Sequence, residues 1–98
     1  MATVLVDGEN VRRSVWPNIS RDDLTELAEA WGEANGHDAI VVWEGTETAD
    51  DRIARDVRDL DGPLWVVTSD RELRGRVEQY AERILGGGSF ARELQQLR

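Results

Sequence analysis

The sequence has no cysteine and no lysine, and its 98 residues include a single histidine. Without cysteine, the chain can build neither a disulfide framework nor a thiolate zinc site. Without lysine, it lacks the cation that phospho-receiver domains and aspartyl-phosphate phosphatases typically place beside a phosphoryl group, and it has no Gly-Lys-Ser or Gly-Lys-Thr phosphate loop. These absences disfavour disulfide-stabilised folds and the common lysine-dependent phosphoryl chemistries.

Long apolar runs are missing as well. None approaches membrane-spanning length, and Asp7 interrupts the run from Val4 to Val6, so we expect no signal peptide, no membrane partner and a cytoplasmic location. The net charge of −8 argues against a broad basic surface for nucleic acid. It still allows a nuclease, because cations bound in an acidic pocket invert the local field and attract phosphate.

The length indicates one compact domain over residues 1–98. Within it, short apolar runs alternate with stretches whose apolar residues have helical spacing. The predicted strands are Thr3 to Val6, Ala39 to Trp43, Leu64 to Val67 and Arg83 to Leu85, and helices are expected at about 21–34, 48–60, 69–80 and 90–97. This alternation predicts an α/β fold, a three-layer sandwich with a central parallel sheet.

Capping patterns mark the expected helix starts. Each pairs a hydroxyl residue with an acid three positions later, at Ser20 and Asp23, Thr48 and Asp51, and Ser69 and Glu72. Three further interpretations concern the connections and the core: a loop through Arg12, Arg13 and Trp16, a flexible turn at Gly86-Gly87-Gly88, and an inward-facing Tyr80.

Acidic side chains follow each of the first three predicted strands. They are Asp7, Glu44, Asp50 and Asp70. In a parallel sheet these positions converge at one edge, where mutual repulsion makes the arrangement costly unless a cation is bound. Carboxylate oxygens suit Mg²⁺ or Mn²⁺ better than zinc. The pattern therefore predicts a binding site for a divalent cation at this edge of the sheet.

Each acid also has a purely structural explanation, because a carboxylate before a helix caps its free amides and complements its dipole. That explanation is favoured for any one acid taken singly, and the joint pattern favours a cluster. Asn10 has two interpretations as well, since it could ligate or orient the metal, or adopt a turn conformation.

Arginines could supply phosphate contacts in this acidic chain. Arg12, Arg13 and Arg74 lie shortly after acidic stretches, and with Ser69 they form the predicted substrate-binding set. Trp16 lies beside two of these arginines, where it could stack on a base or pack over the sheet edge.

Five short motifs occur in order between about Thr3 and Leu94: Val-Leu-Val-Asp-Gly-x-Asn, Trp-Pro, Val-Val-Trp-Glu, Glu-Thr-Ala-Asp and Val-Val-Thr-Ser-Asp-Arg-x-Leu. This order resembles the NYN domains of the PIN-like nuclease superfamily, above all their YacP-like subgroup. The resemblance implies a PIN-like (Rossmann-like) sheet with a metal-dependent ribonuclease centre at its carboxyl edge. It implies that Asp7, Asp50 and Asp70 are the principal metal ligands, and Asn10 matches the amide after the first of them.

The chain departs from the family pattern at three points. Glu44 stands where the family usually has Asp, and Glu9 stands where it often has an aromatic residue. The connection between Glu44 and Thr48 lacks a segment that in YacP-like proteins carries an extra strand and loop. The substrate preference of the family is therefore not carried over to this chain. The alternative that the chain is a reduced or inactive member of the family is kept.

We predict a metal-dependent endoribonuclease in which Asp7, Asp50 and Asp70 hold Mg²⁺ or Mn²⁺, assisted by Glu44 and Asp51. RNA is the expected partner, including RNA on the ribosome, and the expected state is a monomer or weak homodimer. The alternative is a noncatalytic RNA- or protein-binding module with a degenerate PIN-like site. A phosphatase of small metabolites ranks third.

Overall fold

The structure is a computed structural model that describes residues 1–97. Strands and helices alternate along the chain. In order they are β1 (Thr3–Asp7), α1 (Gly8–Arg13), α2 (Arg21–Asn35), β2 (Asp38–Val42), α3 (Ala49–Asp59), β3 (Leu64–Val67), α4 (Arg71–Val77), β4 (Arg83–Leu85) and α5 (Gly87–Gln95). No helix among the described residues is long and apolar enough to cross a membrane.

The strands form one parallel sheet in the order β2-β1-β3-β4. β1 lies between β2 and β3, with Leu5 opposite Ile40 on one side and Val66 on the other. The chain leaves β1 toward β2 and later returns to β3 on the opposite side of β1. Such a reversal opens a crevice at the carboxyl ends of the two strands, where open α/β sheets bind their ligands.

Helices cover both faces of the sheet, which confirms the predicted three-layer α/β architecture. One core contains Val4 and Val6 of β1 with residues of α1, α2 and α5. The other contains Leu5 of β1 with residues of α3 and α4. Successive residues of a strand point to opposite faces, and all three of these side chains are fully buried. The continuous apolar runs in the sequence reflect this burial on both sides.

Two of the three predicted helix caps are confirmed. The Ser20 hydroxyl accepts a hydrogen bond from the Asp23 amide (3.2 Å), and the Thr48 hydroxyl accepts one from the Asp51 amide (3.1 Å). α2 ends at Gly36, which has a φ of 73°. Glycine reaches this left-handed conformation without the steric cost that a side chain would add.

The third cap prediction was wrong, because Asp70 caps α4 in place of Ser69. One Asp70 carboxylate oxygen accepts hydrogen bonds from the amides of Glu72 (2.9 Å) and Leu73 (3.4 Å). The Ser69 hydroxyl instead accepts from the Gly87 amide (2.8 Å). The Ser69 hydroxyl is thus engaged in a tertiary contact with the start of α5 and does not cap α4.

Three other interpretations of connections and core are corrected. Arg12 and Arg13 lie in the helix α1, not in a loop. Gly86 is the residue preceding α5, and Gly87 and Gly88 form the first turn of this helix in place of a flexible turn. Tyr80 is 44% exposed, because α4 ends at Val77 and the chain turns before Tyr80 can reach the core.

Candidate functional site

Asp7 is the central acid of the site because it ends the middle strand β1 and is only 6% exposed. The Thr68 hydroxyl donates a hydrogen bond to the Asp7 carboxylate (2.9 Å) and accepts one from the Asp70 amide (3.1 Å). Thr68 is completely buried. Its hydroxyl therefore links the end of β1 to the start of the β3–α4 connection through hydrogen bonds.

An open cleft of about 440 Å³ lies at this carboxyl edge. Its lining side chains come from the end of β1, from α1 and the residue after it, from the connection after β2, and from the starts of α3 and α4. They are Asp7, Glu9, Asn10, Arg13, Ser14, Glu44, Asp50 and Asp70. The structure therefore brings together the four acids that follow the strands, as the sequence predicted, and it adds Glu9 and Ser14.

The electrostatics of the cleft reflect crowded carboxylates. Burial raises the pKa of Asp7, and the nearby charges of Asp50 and Asp70 raise it further, whereas the Thr68 hydrogen bond opposes the shift. Partial burial raises the pKa of Asp50, the Asp70 charge adds to the increase, and the Arg76 guanidinium opposes it. The protonated forms of Asp7 and Asp50 are favoured because burial penalises the charged carboxylate, and neighbouring negative charges add to that penalty.

Two of these acids also have a structural role. Asp70 caps α4, and one Glu44 carboxylate oxygen accepts a hydrogen bond from the Ala49 amide (3.4 Å) at the start of α3. Asp7 is different, since its side chain makes no capping hydrogen bond to α1, although the backbone amide of Asn10 lowers its pKa. Capping alone does not explain a buried carboxylate at this position.

Asn10 and Ser69 connect the cleft to α5. The Asn10 side-chain oxygen accepts a hydrogen bond from the Ser69 amide (2.9 Å), and the Ser69 hydroxyl accepts one from Gly87. A Cβ atom added to Gly87 would overlap the Asn10 side-chain oxygen. The glycine is thus required by a close approach between α5 and α1, and Asn10 orients the connection that carries Asp70.

Other predicted site residues lie outside the lining of the cleft. Asp51 of α3 forms an ion pair with Arg76 of α4 (3.1 Å), and its side chain is 60% exposed. Arg74 is exposed on α4. Arg12 contacts Glu9 (3.4 Å) beside the cleft.

Thr68 is the main residue of the site that the sequence analysis missed. Its signal is its position, because it directly follows the buried run of β3 and precedes the acid that caps α4. A hydroxyl side chain buried at the end of a strand needs a hydrogen-bond partner, and here the partner is the carboxylate of Asp7.

The cleft fits a hard divalent cation only in part. Its candidate donors are carboxylate and amide oxygens, which suit Mg²⁺ or Mn²⁺. Yet no group of three or more His, Asp or Glu side chains within residues 1–97 is arranged to hold a metal ion. Mg²⁺ commonly binds proteins through one or two carboxylates, completing its shell with water and substrate phosphates. The cleft fits that open mode better than a closed cage.

Comparisons with known proteins show the fold. No protein-family profile and no curated protein matches the chain. Among solved structures, the chain is similar to the crystal structure of Rae1 (YacP) from Bacillus subtilis, with a TM-score of 0.82 and 23% identity, over 99% of this chain and 77% of that chain. The parallel sheet flanked by helices is thus consistent with a PIN-like fold of the YacP type.

Proposed function

We propose that this protein is a metal-dependent endoribonuclease that cleaves RNA phosphodiester bonds at the acidic cleft. The observation that carries the proposal is the convergence of four carboxylates from separate parts of the chain: Asp7, Glu44, Asp50 and Asp70. They meet beside β1, where the strand order reverses. A buried carboxylate at Asp7 with other carboxylates close by is unfavourable in itself, and a functional site is a physical reason to retain the group.

The acids would hold Mg²⁺ or Mn²⁺ together with an RNA phosphate. Asp7 and Asp50 are the first candidates, since both carboxylates are destabilised in their charged form and would gain most from a cation. Asp70 has one carboxylate oxygen committed to capping α4, which leaves the other for the cleft. The bound ion supplies positive charge that lowers the pKa of water and stabilises charge on the phosphate.

The protein's own groups would position the substrate. Thr68 keeps the Asp7 carboxylate in a fixed orientation, and Asn10 holds the backbone of Ser69 next to Asp70. Arg13 lines the cleft and would bind a nonbridging phosphate oxygen through its guanidinium group. Asp51 and Arg74 have no place in this arrangement, because neither lines the cleft.

A noncatalytic RNA- or protein-binding module is the second candidate. It is favoured by the two helix-capping acids and by the lack of a preformed three-ligand group among the described residues. Under this hypothesis the acids stabilise the helices, and the arginines beside the cleft bind a partner.

A cleavage assay separates the two candidates. The wild type, Asp7→Asn and Asp50→Asn are incubated with unpaired and structured RNA in Mn²⁺, in Mg²⁺ and in chelator. Asp38→Asn is the matched control, because Asp38 is an exposed carboxylate at the opposite, amino edge of the sheet. All proteins are purified in parallel, so that a contaminating nuclease would act equally in every sample.

The nuclease proposal requires cleavage that depends on metal, is lost in both cleft variants and is retained in Asp38→Asn. Equal cleavage by all four proteins would identify a contaminant. If none of the proteins cleaves RNA and calorimetry detects no Mn²⁺ binding by the wild type, the nuclease proposal is wrong and the binding module is favoured. Activity on a generic phosphomonoester but not on RNA would indicate the phosphatase.

A further inference from the structure

Three arginines gather around one carboxylate beside the cleft. Glu9 contacts Arg12 (3.4 Å) and Arg13 (3.3 Å) from within α1, and it contacts Arg21 (2.9 Å) at the start of α2. Three guanidinium groups thus share a single carboxylate, and two of these residues, Glu9 and Arg13, also line the cleft. The group concentrates positive charge in a chain whose net charge is −8.

Two of the three guanidinium groups are accessible to solvent, and one of these two contacts both a carboxylate and an aromatic ring. The side chains of Arg13 and Arg21 are 70% and 61% exposed. Arg21 also lies over the ring of Trp43, at 5.2 Å from its centroid. Gly8 leaves room for that ring, since a Cβ there would come within 2.6 Å of it. A guanidinium fixed by a carboxylate and an aromatic face loses little freedom when it binds a phosphate.

Trp16 lies in the connection between these arginines and is 88% exposed. The flanking residues anchor the connection, because Val15 packs against the core and Ile19 is buried, with its amide bonded to the Arg12 carbonyl (3.3 Å). Trp16 is two residues after Ser14, which lines the cleft, so their Cα atoms are at most about 7 Å apart. An exposed indole ring lacks the large stabilising free energy that burial of an aromatic side chain provides.

We propose that the segment from Arg12 to Arg21 is a binding surface for unpaired RNA. The two exposed arginines, Arg13 and Arg21, bind backbone phosphate, and the exposed ring of Trp16 stacks on a base next to the acidic cleft. The inference rests on the proposed action on RNA and adds the surface of this chain that would hold the unpaired strand beside the cleft.

Each part of the proposal follows from a requirement of the substrate. RNA approaching an acidic protein needs a local group of cations, and arginine binds phosphate oxygens in a bidentate manner. An exposed aromatic ring accepts any base through its face, which is how single-stranded nucleic acids are held without sequence preference. Bases inside a duplex are already stacked and do not present that face to a side chain.

The test is a binding titration that does not depend on cleavage. Fluorescein-labelled unpaired RNA of about 12 nucleotides, within the usual single-strand site sizes, is titrated with protein in chelator and followed by anisotropy. A hairpin of the same length is the comparison RNA. The variants are Trp16→Ala, Trp16→Phe and Arg21→Gln.

Arg83→Gln is the matched control. Arg83 also lies over a tryptophan ring, that of Trp65 at 5.0 Å, but at the amino edge of the sheet. The control thus removes the same charge and the same kind of ring contact away from the cleft. A thermal melt of each variant verifies that it is folded.

We expect wild type to prefer the unpaired RNA over the hairpin. Trp16→Ala should weaken binding of the unpaired RNA by about 5- to 150-fold, the range for loss of one stacked base, and Trp16→Phe should retain most of it. Arg21→Gln should reduce the slope of log K against log salt by about 0.7, and Arg83→Gln should not.

Two results would overturn the proposal. One is binding by Trp16→Ala and Arg21→Gln that equals wild type or falls no further than in Arg83→Gln. The other is a wild type that does not bind the unpaired RNA or prefers the hairpin. The nuclease proposal is judged separately by the cleavage assay, because binding that depends on Trp16 without any cleavage would refute only the nuclease.

Discussion

Replacing Thr68 by valine should destabilise the protein through its effect on a buried charge. Valine has nearly the shape of threonine, so the change leaves the packing of β3 almost intact and removes only the hydroxyl. That hydroxyl donates to the Asp7 carboxylate and accepts from the Asp70 amide. Since Asp7 is only 6% exposed, little water can replace the lost donor.

The two lost hydrogen bonds set the expected magnitude. A hydrogen bond to a charged group contributes about 1.5–3 kcal/mol to stability, and one between neutral groups contributes about 1 kcal/mol. We therefore expect Thr68→Val to lower the free energy of unfolding by about 2.5–4 kcal/mol near neutral pH. For a domain of this size, each kcal/mol corresponds to about 4–8 °C in Tm.

The loss should depend on pH in a definite direction. The Thr68 hydrogen bond favours the charged form of Asp7, so the pKa of Asp7 should be higher still in the variant. Above both folded-state pKa values the carboxylate is charged and the full loss is present. As pH falls through them, folded Asp7 becomes protonated in both proteins and the difference in stability shrinks.

Urea denaturation at about pH 7 and about pH 4 measures both effects. Thr68→Ser retains the hydroxyl and controls for the lost methyl group, so it should remain closer to wild type in stability than the valine variant. In an Asp7→Asn background, the cost of Thr68→Val should fall to that of neutral hydrogen bonds. The reasoning is refuted if the loss is below about 1 kcal/mol, if it is equal at both pH values, or if serine and valine behave alike.

Three other variants test the charges and close contacts around the cleft. Asp7→Asn should raise Tm in chelator near neutral pH, because the folded-state pKa of Asp7 is raised and its charge costs stability once pH exceeds it; a lower Tm would argue against repulsion. Asp70→Ala should be less stable than Asp70→Asn by about 1 kcal/mol in urea denaturation, since asparagine can still cap α4. Gly87→Ala should cost about 1–3 kcal/mol through overlap with Asn10. Gly75→Ala, whose new Cβ would meet no atom within 4 Å apart from its chain neighbours and its own helix backbone, should gain about 0.5–1 kcal/mol in the same assay; equal effects would contradict the close contact at α5.

The sequence predicted those parts of the fold that depend on local chemistry. Continuous apolar runs that are rich in β-branched residues predicted the strands. Ser20 and Thr48 cap their helices, as the spacing indicated. It failed at Ser69, because Ser69 and Asp70 can both cap α4 and the choice depends on Gly87, a residue that is distant in sequence. A local pattern cannot identify which of two competent caps has a tertiary partner.

The helix α1 was missed for a related reason. Asp7-Gly8 reads as a turn, and six residues make only a marginal helix by themselves. The helix forms because Val11 is buried in the core and because Gly8 allows the Trp43 ring to approach. Both causes are tertiary, so neither is visible in the segment from Gly8 to Arg13 alone.

The site could have been predicted more sharply at one position. Asp50 and Asp51 are adjacent on α3, and successive helical residues point about 100° apart, so the two side chains leave the helix in different directions. Asp50 precedes the buried Ile53, Ala54 and Val57 by three, four and seven residues, which places it on their face of the helix. Asp51 is out of phase with this face and pairs with Arg76. The acid in phase with the buried stripe is therefore the one that the fold can bring to the cleft.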